Sequence, residues 1–147
     1  MNKTFLWVAI LTMLTQGSFS NNIKIQTKEL PKEQMQKQKS TIVKLAAQEL
    51  SKTLPQTIDK YTTLIKVEEK DANLLYIFEI NTGTKSDEMI RKEDRKRMEE
   101  AITNGICRSS KRFLEAQIKI SYIYTSKATK EKLFHFDVTQ SDCLGMQ

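Results

Sequence analysis

The chain has 147 residues, 39% hydrophobic and 29% charged, with 24 Lys and Arg against 18 Asp and Glu for a net charge of +6. One histidine, two cysteines and four glycines leave little material for a four-ligand zinc site or a glycine-rich phosphate loop. No nucleophile elbow, HExxH, RNP motif or zinc knuckle occurs, and acids alternate so closely with bases that the surplus reads as solvated surface, so no nucleic-acid partner is expected.

The chain opens MNKTFLWVAILTMLTQGSFS: one lysine, an apolar run from Phe5 to Leu14, then small and polar residues. That order is a secretory signal peptide over 1–20, with cleavage expected between Ser20 and Asn21. The apolar run is too short for a bilayer core, which asks for roughly 20 residues. No cysteine stands near the cleavage point to accept a lipid. The expectation is therefore a periplasmic or secreted protein with no stable membrane insertion after cleavage. Lys3 is the leader's only charge, so its removal takes the net charge from +6 to +5.

Export also bears on the thiols. Two cysteines in an oxidising space pair by default, so Cys107 and Cys143 are expected to form a disulfide. A metal centre would need carboxylate help beside two sulfurs and His135; no metal and no cofactor are expected.

In chain order, residues 21–30 are polar and read as a flexible N-terminus, and 31–147 as a single α+β domain. Pro31 suits a helix's first turn. Met35, Ile42, Val43, Ala46, Ala47, Leu50 and Leu54 then recur at helical spacing over roughly 32–53, until Pro55 ends the helix. The period then changes to two. Thr63, Ile65 and Val67, the turn EEKDAN, and Leu74, Tyr76, Phe78 and Ile80 read as a hairpin whose second strand, apolar on both faces, is central.

A second helix is expected over 86–104, capped by Ser86 or Asp87 and closed by Gly105. Its charge run pairs Asp87 with Arg91, Glu88 with Lys92, Glu93 with Arg97 and Arg95 with Glu99 at four-residue spacing, which marks a solvated face. After Cys107, SSKRFLEA reads as one helical turn. Ile118, Ile120, Tyr122 and Tyr124, then Phe134, Phe136 and Val138, form a second hairpin around SKATK. The order helix, hairpin, helix, hairpin gives an α+β domain (αββαββ) with an antiparallel sheet of about four strands and both helices on one face.

The stretches LPQTIDKYTTLIKVEEKDANLLYIFEI, NGICRSS, IKISYIYTS and SDC resemble small exported bacterial proteins of uncharacterised function with an LP..ID..T.L..V core and a C-terminal disulfide. The likeness covers most of 54–143. It implies an envelope location and a Cys107–Cys143 pair, and it transfers no catalytic residue.

Few residues offer chemistry. His135 and Asp137 would share a strand face with Ser121 or Tyr122 nearby, but spacing alone supplies no hydrogen-bond geometry, and a half-exposed histidine beside a solvated acid is the simpler account. The aromatic rows Tyr76, Phe78, Tyr122, Tyr124, Phe134 and Phe136 are ordinarily core; a sheet face left uncovered would instead mark a partner site. Pro55, Asp59, Thr62 and Thr63 either shape a turn or form a binding loop. The reading that follows is a non-enzymatic exported protein that binds another envelope or extracellular protein as an adaptor, inhibitor or assembly factor. The alternatives are a small secreted hydrolase using His135 and Asp137, and binding of an anionic envelope polymer through the bases of helix 86–104.

Overall fold

The computed structural model describes residues 31–145; the expected leader and the segment 21–30 lie outside the described residues. Helix α1 spans Lys32–Ser51. It starts at Pro31, whose carbonyl accepts from the amides of Gln34 at 2.8 Å and Met35 at 3.1 Å. Its buried residues are Val43 and Ala47, one turn apart on a single arc.

Strand β1, Gln56–Thr57, is followed by β2, Thr62–Lys70, and β3, Asn73–Ile80. A two-residue turn joins β2 to β3, with Lys70 paired to Asn73. Asp71 and Ala72 carry φ of 52° and 58°, positive at both central positions as the favoured hairpin twist demands, and the Glu69 carboxylate accepts the Ala72 amide at 2.7 Å. Helix α2, Asp87–Ser109, and the short α3, Lys111–Glu115, lead to β4, Ile120–Ser126, and β5, Lys132–Val138, before a 3-10 turn over Gln140–Cys143.

The α+β class and the element order follow the sequence reading, but the sheet differs from it. It has five strands in the order β1-β2-β3-β4-β5, and β3 pairs with β4 in parallel, so it is mixed and not antiparallel throughout. The cause is the crossover: β3 ends at one edge, α2 carries the chain back across the sheet, and β4 must start from the end where β3 started. The fifth strand, β1, is two residues long and falls where the sequence shows only a turn.

Register shifts also break the simple alternation. A bulge between Leu64 and Lys66 puts Leu64 and Val67 among the buried residues and leaves Ile65 at the surface. A second irregularity opposite Tyr124 and Thr125 lets Leu133 and Phe134, neighbours in sequence, both be buried. Helix α2 also continues through Gly105 to Ser109, so Gly105 does not close it and Cys107 stands inside it. A helical glycine costs about 1 kcal/mol, which the burial of Ile106 at 2% exposure more than offsets.

The charged face of α2 is also wired differently from the i,i+4 expectation. None of the four expected pairs is formed among the described residues. Instead Arg91 donates to the Lys132 carbonyl at 2.8 and 3.2 Å, Arg95 lies 5.8 Å from the Phe136 ring centre, and Asp87 accepts from Thr129 at 2.5 Å. These side chains clamp α2 to β5 and its preceding turn. Ser86 is the cap, accepting the Met89 amide at 3.3 Å.

Both helices lie on the sheet face that carries Val67, Leu74, Phe78, Tyr124, Phe134 and Phe136, and their buried residues join that one core. No described helix covers the opposite face, where Ile77 and Ile123 are half-buried and His135 and Asp137 exposed.

Candidate functional site

On the covered face, α1 packs over β2 and β3 while α2 packs over β5, and the helices make no substantial contact with each other. Ser51 of α1 donates to the Val67 carbonyl at 3.1 Å and Ser40 to Glu69 at 3.3 Å, which turns that flank of the helix toward β2. Helical geometry then points the opposite flank, carrying Ala46 and Leu50, across the sheet toward α2. On α2, Arg91 and Arg95 reach β5, and Ile90, Met98 and Ala101 line a cavity.

A groove runs between these two helices. Its floor is the middle of β3 and β4, where Tyr76 and Tyr122 are only half-buried with ring centres 5.0 Å apart. The next pair along the same face, Phe78 and Tyr124, stacks at 4.7 Å and is covered, at 5% and 7% exposure. At the carboxyl end of β3 lies a cavity of about 720 Å³ lined by Asp59, Tyr61, Ile80, Thr82, Ile90 and Met98, among others. Tyr61, 56% exposed, stands in its lining.

Polar groups rim this apolar channel. Arg97 pairs with Asp94 at 2.7 Å and Lys85 with Glu93 at 2.8 Å. Asp59 accepts the amides of Tyr61 at 2.7 Å and Thr62 at 2.8 Å, and the Tyr61 bond leads in holding its carboxyl below the ordinary carboxylate value. Burial pushes the Tyr76 phenol up to about 12, with the Tyr122 phenol adding to the effect, and burial also raises Tyr122. These phenols remain hydrogen-bond donors across the physiological range.

Of the four residues of the expected loop, Asp59 and Thr62 line the cavity. Thr62 and Thr63 belong to β2, where they face Ile80 and Glu79 of β3. Pro55 follows a cis peptide bond just before β1 and lies outside the cavity lining.

His135 and Asp137 lie on the opposite face of the sheet. Asp137 Oδ1 accepts from the Ser121 hydroxyl at 2.6 Å and lies 3.0 Å from His135 Nε2, while Lys119 reaches Oδ2 at 3.2 Å. Partial burial pushes the Asp137 carboxyl up, but the Ser121 and Lys119 bonds outweigh it and leave the value lowered. A nucleophilic triad places the imidazole between hydroxyl and carboxylate. Here the carboxylate stands in the middle, so Ser121 has no imidazole to take its proton. Tyr122 is on the other face.

Cys107 and Cys143 are bonded, with Cα atoms 5.6 Å apart. The bond ties the last turns of α2 to the 3-10 turn after β5, beside an open pocket of about 320 Å³ that also holds Arg108, Lys111 and Gln140. Among the described residues no group of three His, Cys, Asp or Glu is placed to hold a metal ion, and no helix is long and apolar enough to cross a membrane.

The sequence reading singled out the aromatic rows but not the cavity. No local pattern announces it, because its lining comes from three separate stretches, the Asp59–Thr62 turn, Ile80–Lys85 and α2.

Comparison with known proteins gives a fold and a family. The chain is similar in structure to a Pseudomonas aeruginosa protein provisionally described as secreted, with a TM-score of 0.67 and 14% identity over 74% of this chain and 96% of that one. It is similar to EpsS, the pilotin of the Vibrio vulnificus type 2 secretion system, with a TM-score of 0.63 and 12% identity over 76% and 96% of the two chains. It is also similar to AspS, the type II secretion system pilotin of Vibrio cholerae, with a TM-score of 0.56 and 12% identity over 76% and 97%. At such identities the likeness is one of fold. No curated protein matches the chain. The family model described as "Domain of unknown function (DUF8479)" matches residues 37–134, well over half of the sequence, and the chain belongs to that family.

Proposed function

We propose that this protein is exported and acts in the bacterial envelope as a non-enzymatic accessory protein, holding a segment of a partner protein in the cavity between α2 and the carboxyl end of β3. The observation that carries this reading is the open cavity of about 720 Å³ beside α2, where Tyr61, Ile80, Ile90 and Met98 bring apolar surface to one place. Surfaces of this kind mark interaction sites. The fold shared with two type II secretion pilotins supports an assembly-factor role over an inhibitor. The N-terminal pattern of a signal peptide and the resemblance to small exported bacterial proteins support the location, with the Cys107–Cys143 bond suited to an oxidising space.

The test is site-specific photo-cross-linking in the native host. A photoreactive phenylalanine at Tyr61 or Met98 is expected to capture one discrete partner, and the same group at Ile123 on the uncovered face is not. Adding Ala101→Trp, which fills the cavity from an exposed position on α2, is expected to abolish the captured species. Equal capture from both faces, or capture indifferent to Ala101→Trp, removes the cavity from the account.

A further inference from the structure

We infer that the Cys107–Cys143 bond is a redox latch: a thiol reaches it in the folded protein, and its reduction frees the C-terminal turn from α2 while the sheet stays intact.

Little else holds that turn. Its 3-10 segment, Gln140–Cys143, contains no buried residue; Gln140, Ser141 and Asp142 are exposed, and Leu144 after them is 78% exposed. Only Cys143 packs against the core, together with Cys107. The capping box of Thr139 and Asp142 is internal to the turn. Among the described residues one side-chain hydrogen bond ties it to the rest of the protein, from Gln117 Nε2 to Gln140 Oε1 at 2.7 Å, between exposed groups whose partners water can replace. The chain before the turn and the helix beside it are fixed without the disulfide. Val138 is fully buried and Ile106 is 2% exposed, and Arg91 donates to the Lys132 carbonyl. Breaking the bond therefore separates a loose turn from a helix that stays in place.

The bond is also open to attack. Both cysteines line the pocket of about 320 Å³, with Arg108, Lys111, Leu114 and Glu115 around them, and neither cysteine is fully buried. Accessible disulfides are the ones that exchange in the native state. Lys111 lies 3.8 Å from Glu115, whereas Arg108 forms no ion pair among the described residues, so an unneutralised cation stands in the same lining and favours a thiolate there. In the exchange, a thiolate of a dithiol reductant attacks Sγ of Cys143, the Cys107–Cys143 bond breaks and Cys107 leaves as a thiolate. The reductant's second thiolate then displaces Cys143 from the mixed disulfide. The reductant departs as its own disulfide, having given two electrons to the protein. Release of the turn opens the pocket, because Gln140, Cys143 and Leu144 form one side of it and α2 with α3 the other.

The test uses the full mature chain with dithiothreitol as the dithiol, iodoacetamide to trap the freed thiols and mass spectrometry to count them. The rate of reduction is expected to rise in proportion to dithiothreitol and to stay within about two-fold when urea is added below the unfolding transition, because no unfolding is needed. A bond reached only through the unfolded chain would be reduced about 10-fold faster per molar urea, or at a rate that saturates with dithiothreitol, and either result overturns the inference. Backbone NMR of the reduced protein supplies the second readout. Amide shifts and nitrogen relaxation of residues 139–145 are expected to move toward those of a free chain end, while β3, β4 and α2 as far as Ile106 keep their shifts. A turn that keeps its shifts after reduction shows that the bond is no latch, and a sheet that loses them shows that the bond is a structural staple; both overturn the inference.

Discussion

Removing the disulfide gives the most direct quantitative check on the architecture. Cys107 and Cys143 are separated by 36 residues, and the closed loop contains α3 and the whole β4–β5 hairpin. Chain-entropy reasoning puts the stabilisation from closing such a loop at about 4 kcal/mol, most of it exerted on the unfolded chain. With a urea m-value of about 1.5 kcal/mol/M for a domain of this size, Cys107→Ala with Cys143→Ala is expected to lower the unfolding midpoint by roughly 2.5 M. The reduced wild type should fall close to it, since both lack the same link. Because the effect lies in the unfolded ensemble, amide hydrogen exchange in β3 and β4 under native conditions should report the lower global stability uniformly, and the sheet's chemical shifts should not move. A midpoint change below about 0.5 M refutes the loop-closure argument. Shifted sheet resonances would instead show that the bond holds the native sheet in place.

Neighbouring residues on α1 separate core from surface: Val43→Ala, at a fully buried site, is expected to cost about 1 to 3 kcal/mol in urea unfolding, while Ile42→Ser, 52% exposed, stays within about 0.5 kcal/mol. Ser86→Ala, which removes the cap bond to Met89, is expected to cost about 1 kcal/mol in the same assay. The Asp137 carboxyl is held below its unfolded value, so its stabilising contribution is complete above about pH 4 and lost as pH falls through the folded value. Ser121→Ala should raise that value toward or past the ordinary carboxylate range, because partial burial then acts with less opposition; a carbon-detected NMR titration that finds it unmoved contradicts the assignment.

Local chemistry made the element order legible. Period-two and period-3.6 patterns separate α1, the first hairpin, α2 and the second hairpin, and Pro31 and Ser86 mark two helix starts. Pairing across the sheet was less accessible. The parallel β3–β4 contact was deducible, since a helix joining two adjacent strands forces them to run the same way, but that requires knowing that β3 and β4 are neighbours. The bulges at Ile65 and Leu133 carry no glycine to announce them. The end of α2 was misplaced because Gly105 is a common stop signal, and only the burial of Ile106 against the sheet shows that the helix has reason to continue. Arg91 and Arg95 looked like surface partners for acids four residues away; their actual partners lie about forty residues further along the chain, out of reach of any local pattern.

The groove follows from the spacing of layers. Strands stand about 4.8 Å apart, whereas packed helices approach to about 8–10 Å. With α1 centred near β2 and α2 clamped to β5 by Arg91 and Arg95, three strand spacings, roughly 14 Å, separate their lines of contact. That exceeds helix–helix packing distance by about half a helix diameter, so a channel over β3 and β4 is built into the placement. Closing it would require α2 to slide inward by a strand, breaking the Arg91 contact with the Lys132 carbonyl and drawing Cys107 away from Cys143. The same bonds that fix α2 at the edge therefore hold the tyrosine floor open. Arg91→Ala with Arg95→Ala should relax this restraint, and a drop in solvent accessibility of Tyr76 and Tyr122, read by chemical modification of the phenols, is the expected result. Unchanged or increased modification would mean that something other than these two arginines sets the width of the channel.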